Sequence, residues 1–261
     1  MTSQAFPVST CEHSTQQSET CGNIVPQYGR RNKMADPQAL ASYLLVFLAF
    51  AAFGLIISLS TEQSQIVAKV RGAGKGSIAR GYNSAMKIMI VNRFGTIVYM
   101  FFVGLSIDIG MSNRMLLTVT MIAAAGVLLY NIFLIFKRFD LLGYDREEVN
   151  RERLSRHVLE GGVRFAIASY AATILNVLGL TLPLLLSNSL PEYRLSMANT
   201  GFLLNTFFTL INVLYLEAQL ARILDSGDRR AAYGFALTVF LTRALALVTA
   251  IAIFAAIWWV S

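Results

Sequence analysis

Two arginines lie inside long apolar stretches of the sequence, where a charged side chain is costly. Arg93, which follows Asn92, falls within residues 88–107, and Arg243 falls within residues 234–260. At the centre of a membrane-spanning helix an arginine costs about 2.5–3.5 kcal/mol, so such residues usually face a cavity or a partner. A guanidinium offers phosphate a paired charge and forked hydrogen bonds. The two arginines are therefore candidates for an anion site, with a structural ion pair or a side chain reaching to the interface as the alternative.

A polar face is predicted at one end of the first apolar stretch. Its members, Ser58, Glu62, Gln65 and Lys69, are separated by four, three and four positions. That spacing places them on one side of a helix, where a surface in contact with lipid would be apolar. Glu62 is the natural counter-charge for a deep arginine, or a proton carrier. A carboxylate in ordinary interfacial water is the alternative.

Amides and hydroxyls recur in the fifth apolar stretch, residues 200–216. Asn205, Thr209 and Asn212 share one helical face, and Glu217 follows directly after the stretch. Hydrogen bonds between helices are the common explanation for such residues in membranes. Contact with a substrate is the other explanation, and the sequence leaves both open.

A bundle of membrane-spanning helices is needed to position these residues. The chain has 261 residues, of which 55% are apolar and 14% charged, whereas a soluble domain carries roughly 25% charged residues. Apolar stretches near or above the roughly 18 residues that span a bilayer occur at 41–60, 88–107, 115–136, 165–187, 200–216 and 234–260. Lipid offers no partner to exposed backbone groups, which favours helices. We predict an all-α membrane protein with about six transmembrane helices over residues 37–261, after a disordered polar tail over residues 1–36.

The first two helices are predicted to be longer than their apolar stretches. The first helix is expected to run on through Val70 and the second to begin near Ser77, which leaves residues 71–76 as the turn. Residues 92–98 and 205–211 also resemble each other weakly. With three helices in each half, such a repeat would have inverted topology, a common plan in transporters.

The distribution of Lys and Arg predicts the orientation. The first, third and fifth connections hold five, seven and three of these residues, and the second and fourth hold one each. Basic connections stay in the cytoplasm, so both termini are expected outside. Arg30, Arg31 and Lys33 contradict this count. A chain that starts at Met34 would remove the conflict, and residues 1–33 are interpreted as an over-extended start.

Several classes of function are disfavoured by composition. The excess of 22 Lys and Arg over 15 Asp and Glu is assigned to loops that face anionic lipid, and no nucleic acid is expected. Cys11, Cys21 and His13 lie in the tail, and His157 lies in a charged connection. No zinc or redox spacing, Walker motif or nucleophile elbow is present. We therefore expect no cofactor, no metal and no enzymatic activity.

Several short elements occur in order between about residues 55 and 250. They are residues 69–74 with 91–93, residues 190–194, Asn205 with Thr209, residues 216–225 and residues 242–244. Their order and spacing resemble those of the Amj family of lipid II flippases, the alternates to the MurJ flippase of bacterial cell-wall synthesis. The chain departs from the family pattern at Glu62-Gln63, at Phe94-Gly95 and at Ala218. These differences leave open a divergent branch that handles another polyprenyl-linked glycan.

The resemblance implies transport of lipid II, or of a related polyprenyl-pyrophosphate-linked glycan, across the bacterial cytoplasmic (inner) membrane. Its partners would be that substrate and membrane lipids, with a homo-oligomer left open. Arg93 and Arg243 would hold the pyrophosphate. The other substrate-binding candidates are Glu62, Lys69, Arg71, Lys87, Asn92, Arg194, Asn205 and Glu217, of which the cations Lys69, Arg71 and Lys87 would gather the substrate at the cytoplasmic mouth. A small-solute or ion-coupled secondary transporter that uses Glu62 and Glu217 is the alternative.

Overall fold

The computed structural model describes residues 37–143 and 163–260, and every regular element in these two ranges is helical. The helices are α1 (Pro37–Gly74), α2 (Ile78–Asp108), α3 (Asn113–Phe136), α4 (Arg138–Leu142), α5 (Val163–Ser189), α6 (Arg194–Leu210), α7 (Ala218–Asp225) and α8 (Arg229–Val260). A 3₁₀ turn, Pro191–Tyr193, precedes α6, and a π-helical segment, Ile211–Glu217, joins α6 to α7. The predicted tail over residues 1–36 and the connection that contains His157 lie outside the described residues.

Six helical segments in the described ranges are long and apolar enough to cross a membrane. They are α1, α2, α3, α5, the segment from Asn199 through α7, and α8. The predicted all-α membrane fold and its helix count are therefore confirmed, and the chain is a multi-pass membrane protein. The inverted repeat stays a prediction.

The turn between α1 and α2 is shorter than predicted. The helix continues through Gly74, and Gly76 ends it with a φ of 70°, a conformation that suits glycine. The amide of Ser77 then donates to the carbonyl of Gly72 at 2.9 Å. Gly72 and Gly74 therefore lie within the helix. Gly72 packs at the point where α1 touches α2.

Glycines bring the backbones of α1 and α2 into direct contact at two levels. A Cβ built on Gly95 would lie 2.8 Å from the carbonyl oxygen of Gly54, and one on Gly81 would lie 2.9 Å from that of Ala68. A Cβ on Gly72 would overlap the Cα of Gly81. Small residues permit such close approach between membrane helices, whose association depends on packing and polar contacts.

Polar contacts reinforce this helix pair at the level of Gly54 and Gly95. The amide nitrogen of Asn92 donates to the carbonyl oxygen of Ser58 at 2.7 Å, and the hydroxyls of Ser58 and Thr96 are 2.8 Å apart. Both contacts need the helix axes to be close. They fix the rotation of α2 against α1, and with it the direction in which Arg93 points.

Contacts at the two ends of the bundle show how the helices alternate. At one end the Arg114 guanidinium lies 5.4 Å from the centre of the Trp258 ring, which joins the start of α3 to the end of α8. At the opposite end Nε of Arg138 donates to the Tyr233 hydroxyl at 2.7 Å, which joins α4 to the start of α8. Residues 232–240 of α8 are all buried. The first part of α8 therefore lies at the centre of the bundle. It does so at the end that contains the α1–α2 turn and most of the described basic residues.

Replacement of Gly95 by alanine should destabilise the protein, because the new methyl group would press on the backbone of α1. We expect a loss of about 1–3 kcal/mol, the usual range for overpacking. Gly104 lies on the same helix with no atom within 4 Å of a built Cβ, so Gly104→Ala should be neutral or slightly stabilising. Thermal unfolding of both purified variants tests this. Equal stability of the two variants would contradict the proposed contact.

Candidate functional site

A cavity of about 310 Å³ lies inside the helix bundle. Both polar faces predicted from the sequence line it, as do both deep arginines. The charged and amide residues that line it are Glu62, Gln65, Lys69, Asn92, Arg93, Asn176, Asn205, Asn212, Glu217 and Arg243. The structure therefore brings together residues from five of the six spanning segments, and only α3 contributes none.

The cavity opens sideways between α2 and the α6 segment, toward the region that lipid would fill. Its lining residues on α1, α5 and α8 are buried or half-buried. The exposed members are Met86 and Arg93 on α2, with Thr209 and Val213 opposite them. The inner wall is thus formed by three helices, and the rim by the other two segments.

Arg243 is held in the inner wall by two partners on α1, one of which is in turn held from α5. Its guanidinium is 3% exposed, and Nη1 donates a short hydrogen bond to Oε1 of Gln63. Oε2 of Glu62 lies 3.7 Å from the same nitrogen, and the amide of Asn176 donates to Oε1 of Glu62 at 2.7 Å. The charge of Arg243 is therefore compensated inside the protein by Glu62, the counter-charge named from the sequence. Its Nε is buried with no hydrogen-bond partner among the described residues.

Sequence reasoning missed two members of this network, Gln63 and Asn176. Gln63 was noted only as a departure from a family pattern, and Asn176 was not singled out. Both are amides in apolar helices, and both are buried, at 2% and 5% exposure. A buried amide needs hydrogen-bond partners, so their position within spanning segments was the available signal.

Arg93 is in a different situation from Arg243. It lies at the midpoint of α2, lines the cavity and is exposed at its rim. Among the described residues, its side chain makes no hydrogen bond and no ion pair. The sequence assigned the same role to both arginines. The structure distinguishes them, because only Arg93 presents a guanidinium to the opening.

Lys69 and Glu217 close the cavity at the end nearest the α1–α2 turn. Nζ of Lys69 lies 2.5 and 2.6 Å from the two carboxylate oxygens of Glu217, which is the last residue of the π-helical segment. Lys69 also lies 5.2 Å from the centre of the Tyr82 ring. The Lys69–Glu217 pair ties α1 to the π-helical segment. Short π-helical segments are often found at functional sites. Lys69 is consequently occupied by a carboxylate partner.

The remaining predicted site residues are distributed elsewhere. Arg71 lines a second cavity, and Lys87 is exposed and lines neither. Arg194 begins α6, and its side chain lies outside the described residues. Asn205 lines the central cavity, where Thr209 donates to its carbonyl at 2.8 Å. Within the described residues, no group of three His, Cys, Asp or Glu side chains is placed to hold a metal ion.

The chain matches no protein-family model, no curated protein and no solved structure.

Removal of one partner of the Glu62–Arg243 pair should be far more costly than removal of both. Arg243→Ala leaves a buried carboxylate unpaired, and we expect a loss of about 3–5 kcal/mol. Glu62→Ala combined with Arg243→Ala should recover part of that loss. Arg93→Ala serves as the matched control and should change stability by less than about 0.5 kcal/mol.

Unfolding of the unchanged chain, Glu62→Ala, Arg243→Ala and the double variant measures this coupling as a double-mutant cycle. Strictly additive effects of the two substitutions would contradict the assigned pairing of Glu62 and Arg243.

Proposed function

We propose that the chain is a flippase for lipid II or a related polyprenyl-pyrophosphate-linked glycan in the bacterial cytoplasmic membrane. The observation that carries the proposal is the unpaired guanidinium of Arg93, at the midpoint of a spanning helix and at the open side of a polar cavity. A cation in that position needs an anionic partner. A lipid phosphate supplies one while its hydrocarbon chain remains in the bilayer.

The charge balance of the cavity supports an anionic substrate. Its lining contains three cationic side chains and two carboxylates, which leaves one excess positive charge. Glu217 pairs with Lys69, and Glu62 pairs with Arg243 while it interacts more weakly with Arg93, so the excess is centred on Arg93. Forked hydrogen bonds from a guanidinium match the geometry of phosphate oxygens.

Uncharged polar groups on the facing segment complete the proposed phosphate site. Asn205, Thr209 and Asn212 line the same cavity, and the two side-chain amides are donors for the sugar or for phosphate oxygens. The Thr209 hydroxyl donates to the carbonyl of Asn205 and can accept from the sugar. Apolar residues of the rim, such as Met86 and Val213, would contact the polyprenyl chain. The arrangement thus separates a polar interior from a lipid-facing entrance.

The size of the cavity requires a conformational change during transport. Pockets for drug-sized ligands measure roughly 300–1,000 Å³, and about 310 Å³ accommodates a pyrophosphate with little of the attached glycan. Passage of a whole headgroup would therefore need the walls to separate. The Lys69–Glu217 pair is the contact that would have to break, because it joins α1 to the segment opposite.

The proposed loading side is the end with the α1–α2 turn. Lys75 and Arg80 flank that turn, and Arg222 and Arg229 flank the α7–α8 connection at the same end. Basic connections of membrane proteins remain cytoplasmic. A substrate made in the cytoplasm would thus meet the cavity at its Lys69–Glu217 end and leave on the far side.

A secondary transporter for a small solute or ion is the second candidate. Glu62 and Glu217 both line the cavity, which is the observation in its favour. Each carboxylate faces a cation in the structure, so a coupling ion would first have to displace Lys69 or Arg243. Transport that depends strictly on a proton or sodium gradient, with unchanged lipid-linked precursors, would favour this candidate.

Complementation tests the flippase proposal. Expression of the chain should keep bacteria alive when their own lipid II flippases are depleted. Arg93→Ala should abolish this rescue, and Arg93→Lys should restore it partly, because an ammonium keeps the charge and loses the forked geometry. Ile97→Ala is the matched control, since Ile97 is 65% exposed on the same helix and lies outside the cavity lining.

Immunoblots of membrane fractions establish equal protein levels in this experiment. Rescue by Arg93→Ala equal to that of the unchanged chain would contradict the role of Arg93. No rescue by a well-expressed, correctly inserted chain would contradict transport of lipid II.

A further inference from the structure

The α1–α2 turn carries a second cavity, of about 330 Å³, that the proposed transport does not use. Its lining includes Arg71 and Lys75 before the turn, Arg80 after it, and the small residues Gly72, Gly81 and Ser84. It shares no lining residue with the central cavity. The two cavities therefore lie on different faces of the α1–α2 pair.

Glycine packing creates this second cavity. Gly72 and Gly81 touch through their backbones, so no side chain fills the space beside their contact. The neighbouring residues in sequence, Arg71 and Arg80, are both exposed and stand at its edges. A concave surface with cations around it follows from the alternation of glycine and basic residues.

The charges around this second cavity are not compensated within the described residues. Arg71, Lys75 and Arg80 make no ion pair or side-chain hydrogen bond there, and no carboxylate contributes to the lining. Ser77, which lines this cavity, precedes α2 without capping it, so its hydroxyl leaves the first amides of the helix unsatisfied. Three cations and a helix N-terminus all favour a negative ligand.

Apart from the serines Ser77 and Ser84, the rest of the lining is apolar, which distinguishes this cavity from a site for a free ion. Val67 and Ala68 of α1 contribute to its wall, and the cavity lies where a spanning helix pair meets the membrane surface. An amphiphile would place its phosphate among the cations and its glycerol and upper chain against these apolar groups. Basic residues near the cytoplasmic surface attract anionic lipids.

We propose that this second cavity binds the headgroup of an anionic glycerophospholipid. The lipid is a bound component of the protein and is distinct from the transported substrate. It neutralises Arg71, Lys75 and Arg80 and holds the α1–α2 turn at the membrane surface. Because Lys69 lies on α1 two positions before Arg71, the lipid also supports the helix that closes the central cavity.

Thermal unfolding of the purified full chain in a neutral detergent tests the proposal. Phosphatidylglycerol, phosphatidylcholine or sodium phosphate is titrated into the sample, and the unfolding midpoint gives an apparent affinity. Phosphatidylglycerol should raise the midpoint in a saturable way, whereas the other two should not. The triple variant R71Q/K75Q/R80Q should bind it at least about tenfold more weakly, given the contribution of each cation near a lipid surface.

Two further variants separate a bound headgroup from general attraction to negative lipid. K137Q/R222Q/R230Q removes the same charge from exposed residues at the same end of the bundle, and its affinity should stay within about twofold of the original. Ser84→Phe fills the second cavity from an exposed position without a change in charge, and should weaken binding as much as the triple variant does.

Three results would overturn the proposal. Undiminished binding by Ser84→Phe, or equal loss in both triple variants, would indicate diffuse attraction. Equal stabilisation by sodium phosphate would indicate a site for a free anion. Neither readout depends on transport, so this proposal and the flippase proposal fail independently.

Discussion

The cost of a positive charge in a medium of low dielectric constant is the constraint on which this structure depends. Two arginines at the middle of spanning helices would each be unstable in hydrocarbon. The protein satisfies them differently. Arg243 is enclosed by Gln63 and Glu62, and Asn176 holds the carboxylate in place. Arg93 faces a polar opening. The first solution ties α8, α1 and α5 together, and the second leaves a charge available to a ligand.

Close helix packing is what makes these two solutions compatible. Gly54 and Gly95 let α1 and α2 touch, so Asn92 reaches the backbone of Ser58. That contact fixes the face of α2 that carries Arg93. The same principle at Gly72 and Gly81 leaves the second cavity at the turn. The glycines thus determine where the neighbouring polar side chains point, because they set how closely α1 and α2 approach.

Much of this arrangement could be predicted from the sequence. Apolar stretches of sufficient length gave the six spanning helices, and helical spacing gave the two polar faces, because both depend on local periodicity alone. The end of α1 was misjudged, since a run of glycines and basic residues favours a turn until the packing of Gly72 against Gly81 is known. Tertiary contact decided that boundary, and no local signal reports it.

The pairing of charges was the part that sequence could not provide. Glu62 was recognised as a counter-charge, but its choice of Arg243 over Arg93 depends on how the helices rotate. Glu217 was a candidate for substrate binding or ion coupling, and it holds Lys69 with both carboxylate oxygens. These contacts join residues more than a hundred positions apart. Their consequence is that a role first assigned to two equal arginines falls chiefly to Arg93.

Arg93 is proposed to be the cation that meets a lipid pyrophosphate, and a direct binding measurement tests this proposal most closely. The measurement is the affinity of a purified, detergent-solubilised chain for a polyprenyl-pyrophosphate-linked glycan, compared with Arg93→Gln. Loss of the guanidinium should weaken binding at least about tenfold, the scale of one charge-assisted pair with phosphate. Binding of the glycolipid by the unchanged chain, with the same affinity in Arg93→Gln, would contradict the account.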